Sequence, residues 1–281
     1  MYTAIVTAPS AFLFSHPNDR SVTDELLSGW LVTVQKQQGD FLNVITQYGY
    51  AGWLDCRTVR SISPAESSAW DIHNRNGCRP CLLCRGITDI LEEPKVQAPV
   101  LSTLFTGSAL LPLSSPEEGW QHVKTAGGIC GYIPSRSLGP FPAPGPVCCL
   151  SPSEQQQLRT SIVHYACAYL GTQYRWGGKT HAGIDCSGLT FMSYYMCGIL
   201  IYRDAAIVES YPVHEIPVSR IQPGDLLYFP GHVALYLGNE TYIHSTGNPA
   251  SFGCVINSLN PQAENYRKDL ACSLTAAGSV F

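Results

Sequence analysis

The sequence predicts a β-rich N-terminal part followed by an α+β domain, and three observations lead there. Short apolar runs broken by turn residues fill the first 140 positions; the stretch Phe141-Pro142-Ala143-Pro144-Gly145-Pro146 then interrupts any periodic element; beyond it, two helical patterns precede a series of strand-like runs. Proline and glycine at that density mark a linker. Helices first and strands second is an α+β order. A length of 281 residues is ample for several domains.

In chain order, Leu31-Val32-Thr33-Val34, Phe41-Leu42-Asn43-Val44-Ile45 and Gly52-Trp53-Leu54 read as strands, separated by turns at Gln38-Gly39-Asp40 and Tyr48-Gly49. Gly107 to Leu111, Gly119 to Val123 and Gly131 to Pro134 repeat the theme. Setting Ala51-Gly52-Trp53-Leu54 against Cys130-Gly131-Tyr132-Ile133 suggests an internal duplication of two small β-barrels. The expected division is 1–60 for the first barrel, 61–94 for a cysteine-containing insert or linker, 95–140 for the second barrel, 141–150 for the linker and 151–281 for the α+β domain. That last domain opens with a helix that Ser153 caps with Gln156, carrying Leu158, Ile162, Tyr165, Ala166 and Tyr169 at helical spacing up to Gly171. A second helix is expected from Cys186 to about Ile199. Strands follow at Leu226–Phe229, His232–Leu237, Thr241–His244 and Cys254–Ile256.

Composition excludes some classes. Residues 1–150 carry 10 basic and 12 acidic side chains, and residues 151–281 carry 7 and 9. No basic stripe exists to follow a phosphate backbone, so a nucleic-acid partner is not expected. The longest apolar stretch, Leu189 to Tyr202, is 14 residues and too short for a membrane span of about 20. The N-terminus shows no charged region followed by a long apolar stretch. With no visible leader, the twelve cysteines are expected to be reduced thiols in a cytoplasm; a chain trimmed of its leader would instead be secreted or wall-associated. Cys78, Cys81 and Cys84 form a run, with His73 a conceivable fourth ligand, but three clustered thiolates fall short of the four that zinc wants, and no metal is expected.

The chemistry concentrates in Tyr174-Arg175-Trp176-Gly177-Gly178, Asp185-Cys186-Ser187-Gly188, Gly231-His232-Val233-Ala234 and Tyr242-Ile243-His244. A thiol nucleophile needs partial ionisation, which a helix N-terminus and a nearby imidazole promote. Cys186 opens the expected helix after a capping Asp185. His232 and His244 fall on two strands joined by the tight turn Gly238-Asn239-Glu240, so neighbouring antiparallel strands bring the imidazoles together. A base and a group that orients it complete a nucleophile's machinery.

In this order and combination, the four segments, with Pro223-Gly224-Asp225-Leu226, resemble the NlpC-type cysteine peptidases, papain-like enzymes acting on peptidoglycan stem peptides. The N-terminal repeats resemble bacterial SH3-like domains. The resemblance implies Cys186 as nucleophile, His232 as base, His244 as the orienting residue, the Cys186 backbone N–H as an oxyanion donor, and no cofactor. A narrower similarity, to γ-D-glutamyl-L-diamino-acid endopeptidases of cell-wall recycling, implies a substrate site of Tyr174, Trp176, Asp185, Ser187 and Asp204. Asp204 would pair with a free N-terminal L-Ala, and Tyr50 and Glu25 would come from the first SH3-like domain. The same nucleophile would serve an amidase or acyltransferase, and the N-terminal part alone a cell-wall-binding module.

Overall fold

The computed structural model describes residues 1–72, 80–142 and 146–281. Met1–Phe141 and Pro142–Phe281 are two compact units. His73 and Cys78 of the cysteine run, and residues 143–145 of the proline-rich stretch, lie outside the described residues.

The first unit holds two antiparallel sheets. One comprises β1 (Tyr2–Val6), β2 (Ser10–His16), β3 (Asp19–Leu27), β4 (Leu31–Gln38), β5 (Phe41–Thr46), β6 (Ala51–Asp55) and β7 (Val59–Ser61), in the spatial order β3-β2-β6-β5-β4-β1-β7. After the helix α1 (Pro64–Trp70), capped by Ser63 with Pro64 at its first turn, the second comprises β8 (Cys81–Leu83), β9 (Ile87–Leu91), β10 (Val100–Phe105), β11 (Ala109–Pro112), β12 (Trp120–Lys124), β13 (Cys130–Pro134) and β14 (Leu138–Pro140). Its order, β10-β9-β13-β12-β11-β8-β14, is the first order advanced by seven strands, so the internal repeat extends to the whole topology. Among the described residues, both are seven-stranded sheets with two ends, not closed barrels.

The stretch 61–94, read from sequence as an insert or linker, contributes α1, β8 and β9. Strand β8 pairs with β11 (Leu82 opposite Ala109) and β14 (Leu83 opposite Leu138), which leaves Cys81 and Cys84 half-buried at the sheet. Burial explains the assignment: Leu83 and Ile90 join Leu104, Leu110, Val123 and Ile133 in one apolar core. The two sheets are tied directly. Ala109 N–H donates to Ser28 O at 2.9 Å and the Trp30 indole N–H to Gly107 O at 2.9 Å. Gly29 permits this approach, since a Cβ there would lie 2.7 Å from Ala109 O.

The second unit begins with α2 (Pro152–Cys167), whose cap is Ser151, with Glu154 closing the capping box. The cap falls two residues before the expected Ser153 because Pro152 suits the first helical position, where its missing N–H costs nothing. The short β15 (Lys179–Thr180) and β16 (Gly183–Ile184) lead into α3 (Cys186–Tyr195), every residue of which is buried. A helix buried on all sides, its hydroxyls at Thr190 and Ser193 bonded back to the backbone of the preceding turn, belongs in a domain centre. An antiparallel sheet follows, from β17 (His214–Ile216), β18 (Leu226–Phe229), β19 (His232–Gly238), β20 (Thr241–Thr246), β21 (Gly253–Ser258) and β22 (Ala276–Ser279), in the order β17-β22-β18-β19-β20-β21, with α4 (Lys268–Ser273) before β22. Leu227, Phe229, Ala234 and Tyr242 form its core. Asp225 anchors α2 to this sheet: its carboxylate accepts from Arg159 at 2.9 Å, Ser279 at 2.6 Å and Gln222 N–H at 2.8 Å. No helix among the described residues is long and apolar enough to cross a membrane.

Candidate active site

Cys186 is the first residue of α3, and the local sequence explains why the helix starts there. Asp185 is extended (φ −94°, ψ 178°) and its carboxylate accepts from Gly188 N–H at 2.5 Å, the geometry of a helix cap. The turn over 177–178 packs against the first turn of α3 so closely that a Cβ on Gly188 would lie 2.2 Å from Gly178 O. The glycines of both motifs are therefore matched surfaces of one contact.

Asp185 has further partners. It accepts from Gly177 N–H at 2.8 Å, from Ser187 Oγ at 3.3 Å, and from Arg203 through Nη2 at 3.1 Å and Nη1 at 3.2 Å. Arg203 Nη1 also donates to Ser187 Oγ at 2.7 Å. The Asp185 and Arg203 side chains are 9% and 1% exposed. The polar atoms flanking the thiol are thus joined to one buried guanidinium. Arg203 was missed in the sequence; its signal is a lone cation closing the apolar run Ile199-Leu200-Ile201-Tyr202.

The two histidines stand on β19 and β20, both of which pack against α3. The Val233 and Ser187 backbone N–H groups favour the ionised form of the Cys186 thiol, against the stronger effect of its burial. His232 Nε2 lies 2.7 Å from His244 Nδ1, and His244 Nε2 lies 2.8 Å from Asn257 Oδ1. The line then reaches backbone, because Asn257 Nδ2 donates to Asn265 O at 2.7 Å. That last bond sets the tautomers by elimination. A carbonyl only accepts, so Nδ2 faces Asn265 and Oδ1 faces His244. His244 Nε2 then carries a proton, and neutral His244 offers the lone pair of Nδ1 to His232 Nε2–H. The remaining lone pair of neutral His232 is on Nδ1. Asn257 was also missed in the sequence. It lies on β21, two residues along from Val255, which faces His244, and so on the same face of the strand.

Burial dominates the protonation states. The Cys186 thiol is pushed up to about 11, by burial first and by the Asp185 charge second. His232 is pushed down to about 3 by burial and then by His244, and His244 down to about 4 by burial, against an upward pull from Asn257. Burial thus favours the uncharged form of the thiol and of both imidazoles.

Of the remaining expected site residues, Tyr174 is brought in by backbone pairing with Ile184, two residues before Cys186. Burial, then the charges of Cys186 and Asp185, hold its phenol well above the ordinary value. Trp176 is 69% exposed and Asp204 is exposed next to buried Arg203. Glu25, 1% exposed on β3, and Tyr50, half-buried before β6, belong to the N-terminal unit.

A buried cysteine at a helix start, with a neighbouring strand that carries a histidine hydrogen-bonded to a second histidine, is an arrangement compatible with a papain-like cysteine peptidase. The chain belongs to the NlpC/P60 family: residues 171–269 match that family, and dipeptidyl-peptidase 6 of Lysinibacillus sphaericus is 39% identical over 285 residues, spanning 99% of each chain. The γ-D-glutamyl-L-lysine dipeptidyl-peptidase of Bacillus cereus is 36% identical over 251 residues, 81% of this chain and 68% of that protein. A crystal structure of an NlpC/P60 family protein from Bacillus cereus aligns over 98% of both chains with a TM-score of 0.76 at 20% identity, which shows the shared fold. The protein is a cysteine-type peptidase.

Proposed function

We propose that the protein hydrolyses the γ-D-glutamyl–L-diamino-acid bond of peptidoglycan stem peptides and prefers those with a free N-terminal L-Ala. The observation that carries the chemistry is the line from His232 through His244 to Asn257, whose two histidines stand on strands that pack against the helix opened by Cys186. The names of the two relatives support the bond and the release of a dipeptide. The N-terminal sheets are read as paired SH3-like domains, on their repeated strand order and the Gly-Trp-Leu and Gly-Tyr-Ile strands.

In this mechanism Cys186 Sγ attacks the γ-carbonyl carbon of D-Glu while its proton passes to His232 Nδ1. The oxyanion develops at the start of α3, where the Cys186 backbone N–H and the positive end of the helix stabilise it. His232 then protonates the leaving amine as the C–N bond breaks, leaving a thioester. Water attacks the thioester, gives its proton to His232, and expels the sulfur, which is reprotonated. His244 and Asn257 hold His232 in the tautomer that this cycle needs.

Specificity rests on the surface next to this line. Arg203 reaches Asp185 and Ser187, which flank the nucleophile, and so brings the exposed carboxylate of Asp204 close to it. Asp204 pairs with the α-ammonium of L-Ala, while Tyr174 and Trp176 line the acyl side. Asp185 and Ser187, with their polar atoms engaged internally, shape the site by position. Mass spectrometry of products from L-Ala-γ-D-Glu-L-Lys and its N-acetylated form tests this. Release of L-Ala-γ-D-Glu is expected from the free peptide, slowed about 100-fold or more by acetylation, as for a site whose buried or paired polar group loses its partner. Equal rates on both peptides would remove the claim on Asp204.

A further inference from the structure

The two N-terminal sheets share their topology but not the surface on one pair of strands. In the first, Asn43 on β5 faces Trp53 on β6, and Lys36 on β4 faces Asn43. Lys36 Nζ lies 5.2 Å from the centre of the Trp53 ring, and His16 tilts against the same ring at 6.4 Å. The chain's own ammonium thus occupies the aromatic face, and Trp53 is 7% exposed.

The same register in the second sheet sets His122 on β12 against Tyr132 on β13. The residue that follows β11 and bonds to His122 O, at 2.9 Å, is Leu113, in the place that Lys36 holds in the first sheet. His122 and Tyr132 stack nearly coplanar, 4.7 Å apart at 16°. With Trp120 they wall an open cleft of about 190 Å³ whose rim carries Glu117 and Glu118. These two lie on a turn fixed by a double backbone pairing of Glu117 with Trp120, at 2.9 and 2.8 Å.

We propose that this cleft binds a primary alkylammonium group, the side-chain amine of a lysyl or other diamino-acid residue in a peptide. The aromatic faces and the two carboxylates offer such a ligand what Trp53 offers Lys36, with opposite charge added at the rim. The first sheet fills this position from within the chain; in the second, among the described residues, Leu113 stands there and leaves it to a ligand. The cleft lies within the N-terminal unit and stands independently of the proposed reaction.

Nuclear magnetic resonance of the full chain labelled at the tryptophan indoles tests it, with Trp120 assigned through Trp120→Phe. The probes are Nα-acetyl-L-lysine methylamide and its uncharged isostere Nα-acetyl-L-norleucine methylamide. The lysine compound is expected to shift the Trp120 resonance saturably and the norleucine compound to leave it unchanged. The Glu117→Gln/Glu118→Gln variant is expected to weaken binding about fivefold or more, and Leu113→Lys, which supplies the first sheet's internal cation, to abolish it. An equal response to both compounds would overturn the proposal. So would a lysine response at Trp176 with none at Trp120, or undiminished binding to a folded Leu113→Lys protein.

Discussion

One polar network surrounds the start of α3 and another runs along β19 to β21, and they are built from opposite kinds of group. On one side Asp185, Arg203 and Ser187 form a charged cluster in which two backbone N–H groups, a hydroxyl and a guanidinium converge on one carboxylate. On the other, His232, His244 and Asn257 form a line of neutral groups with a single direction, ending on a backbone carbonyl. A charged cluster resists rearrangement, because any member removed leaves a charge buried without its partner. A neutral line with one proton per link is suited to accepting and returning a proton. In the proposed mechanism the first network places the thiol and the second moves its proton.

The largest effect is expected from breaking the charged side. Arg203→Met leaves the Asp185 carboxylate buried without its cation and should lower unfolding free energy by about 3–5 kcal/mol, read by chemical denaturation. Adding Asp185→Asn removes the stranded charge and keeps a good helix cap, so most of the stability should return. If the cluster acts by position alone, kcat of the double variant recovers to within about tenfold of the parent. Recovered stability with kcat far below that range would give the Asp185 charge a role beyond placement.

A smaller effect, confined to rate, is expected on the neutral side. Asn257→Ala frees His244 to carry its proton on Nδ1, which turns His232 to the tautomer without a lone pair for the thiol. The expected result is a fall in kcat of about 100-fold with KM little changed. Asn257→Asp also accepts from His244 Nε2–H, so it should retain most of the rate. Its carboxylate favours protonated His244 and moves the acid limb of kcat/KM upward. In the parent enzyme both imidazoles are depressed by burial, to about 3 and 4, so that limb should lie well below 6.5. The stability consequence has the same sign. The unfolded chain binds protons at both imidazoles before the folded one does, so stability falls as pH drops from about 6.5 toward those depressed values. An acid limb at pH 6.5, or Asn257→Ala indistinguishable from the parent, would reduce Asn257 to a packing residue.

Much of this site was legible in the sequence, because its members sit in short motifs whose chemistry is local. Asp185 and Cys186 announce a capped helix start, and the turn 238–240 brings His232 and His244 onto paired strands. Arg203 and Asn257 were not legible. Their partners lie 18 and 13 residues away, and the relation exists only once the apolar run folds back on α3 and β21 pairs with β20. The strands β8 and β9 escaped for a different reason. Cys81-Leu82-Leu83 has no alternation, and its apolar residues acquire a face only against β11 and β14. The cap at Ser151 was two residues early because a proline at the first helical position outranked the better-spaced pattern behind it.

The most direct measurement of the central claim is mass spectrometry of the enzyme quenched in acid during turnover of L-Ala-γ-D-Glu-L-Lys. The expected result is a covalent adduct equal to L-Ala-γ-D-Glu less one water, on the peptide that contains Cys186, together with loss of turnover in a folded Cys186→Ala protein. Turnover that persists in Cys186→Ala, or an adduct on another of the twelve cysteines, would contradict it.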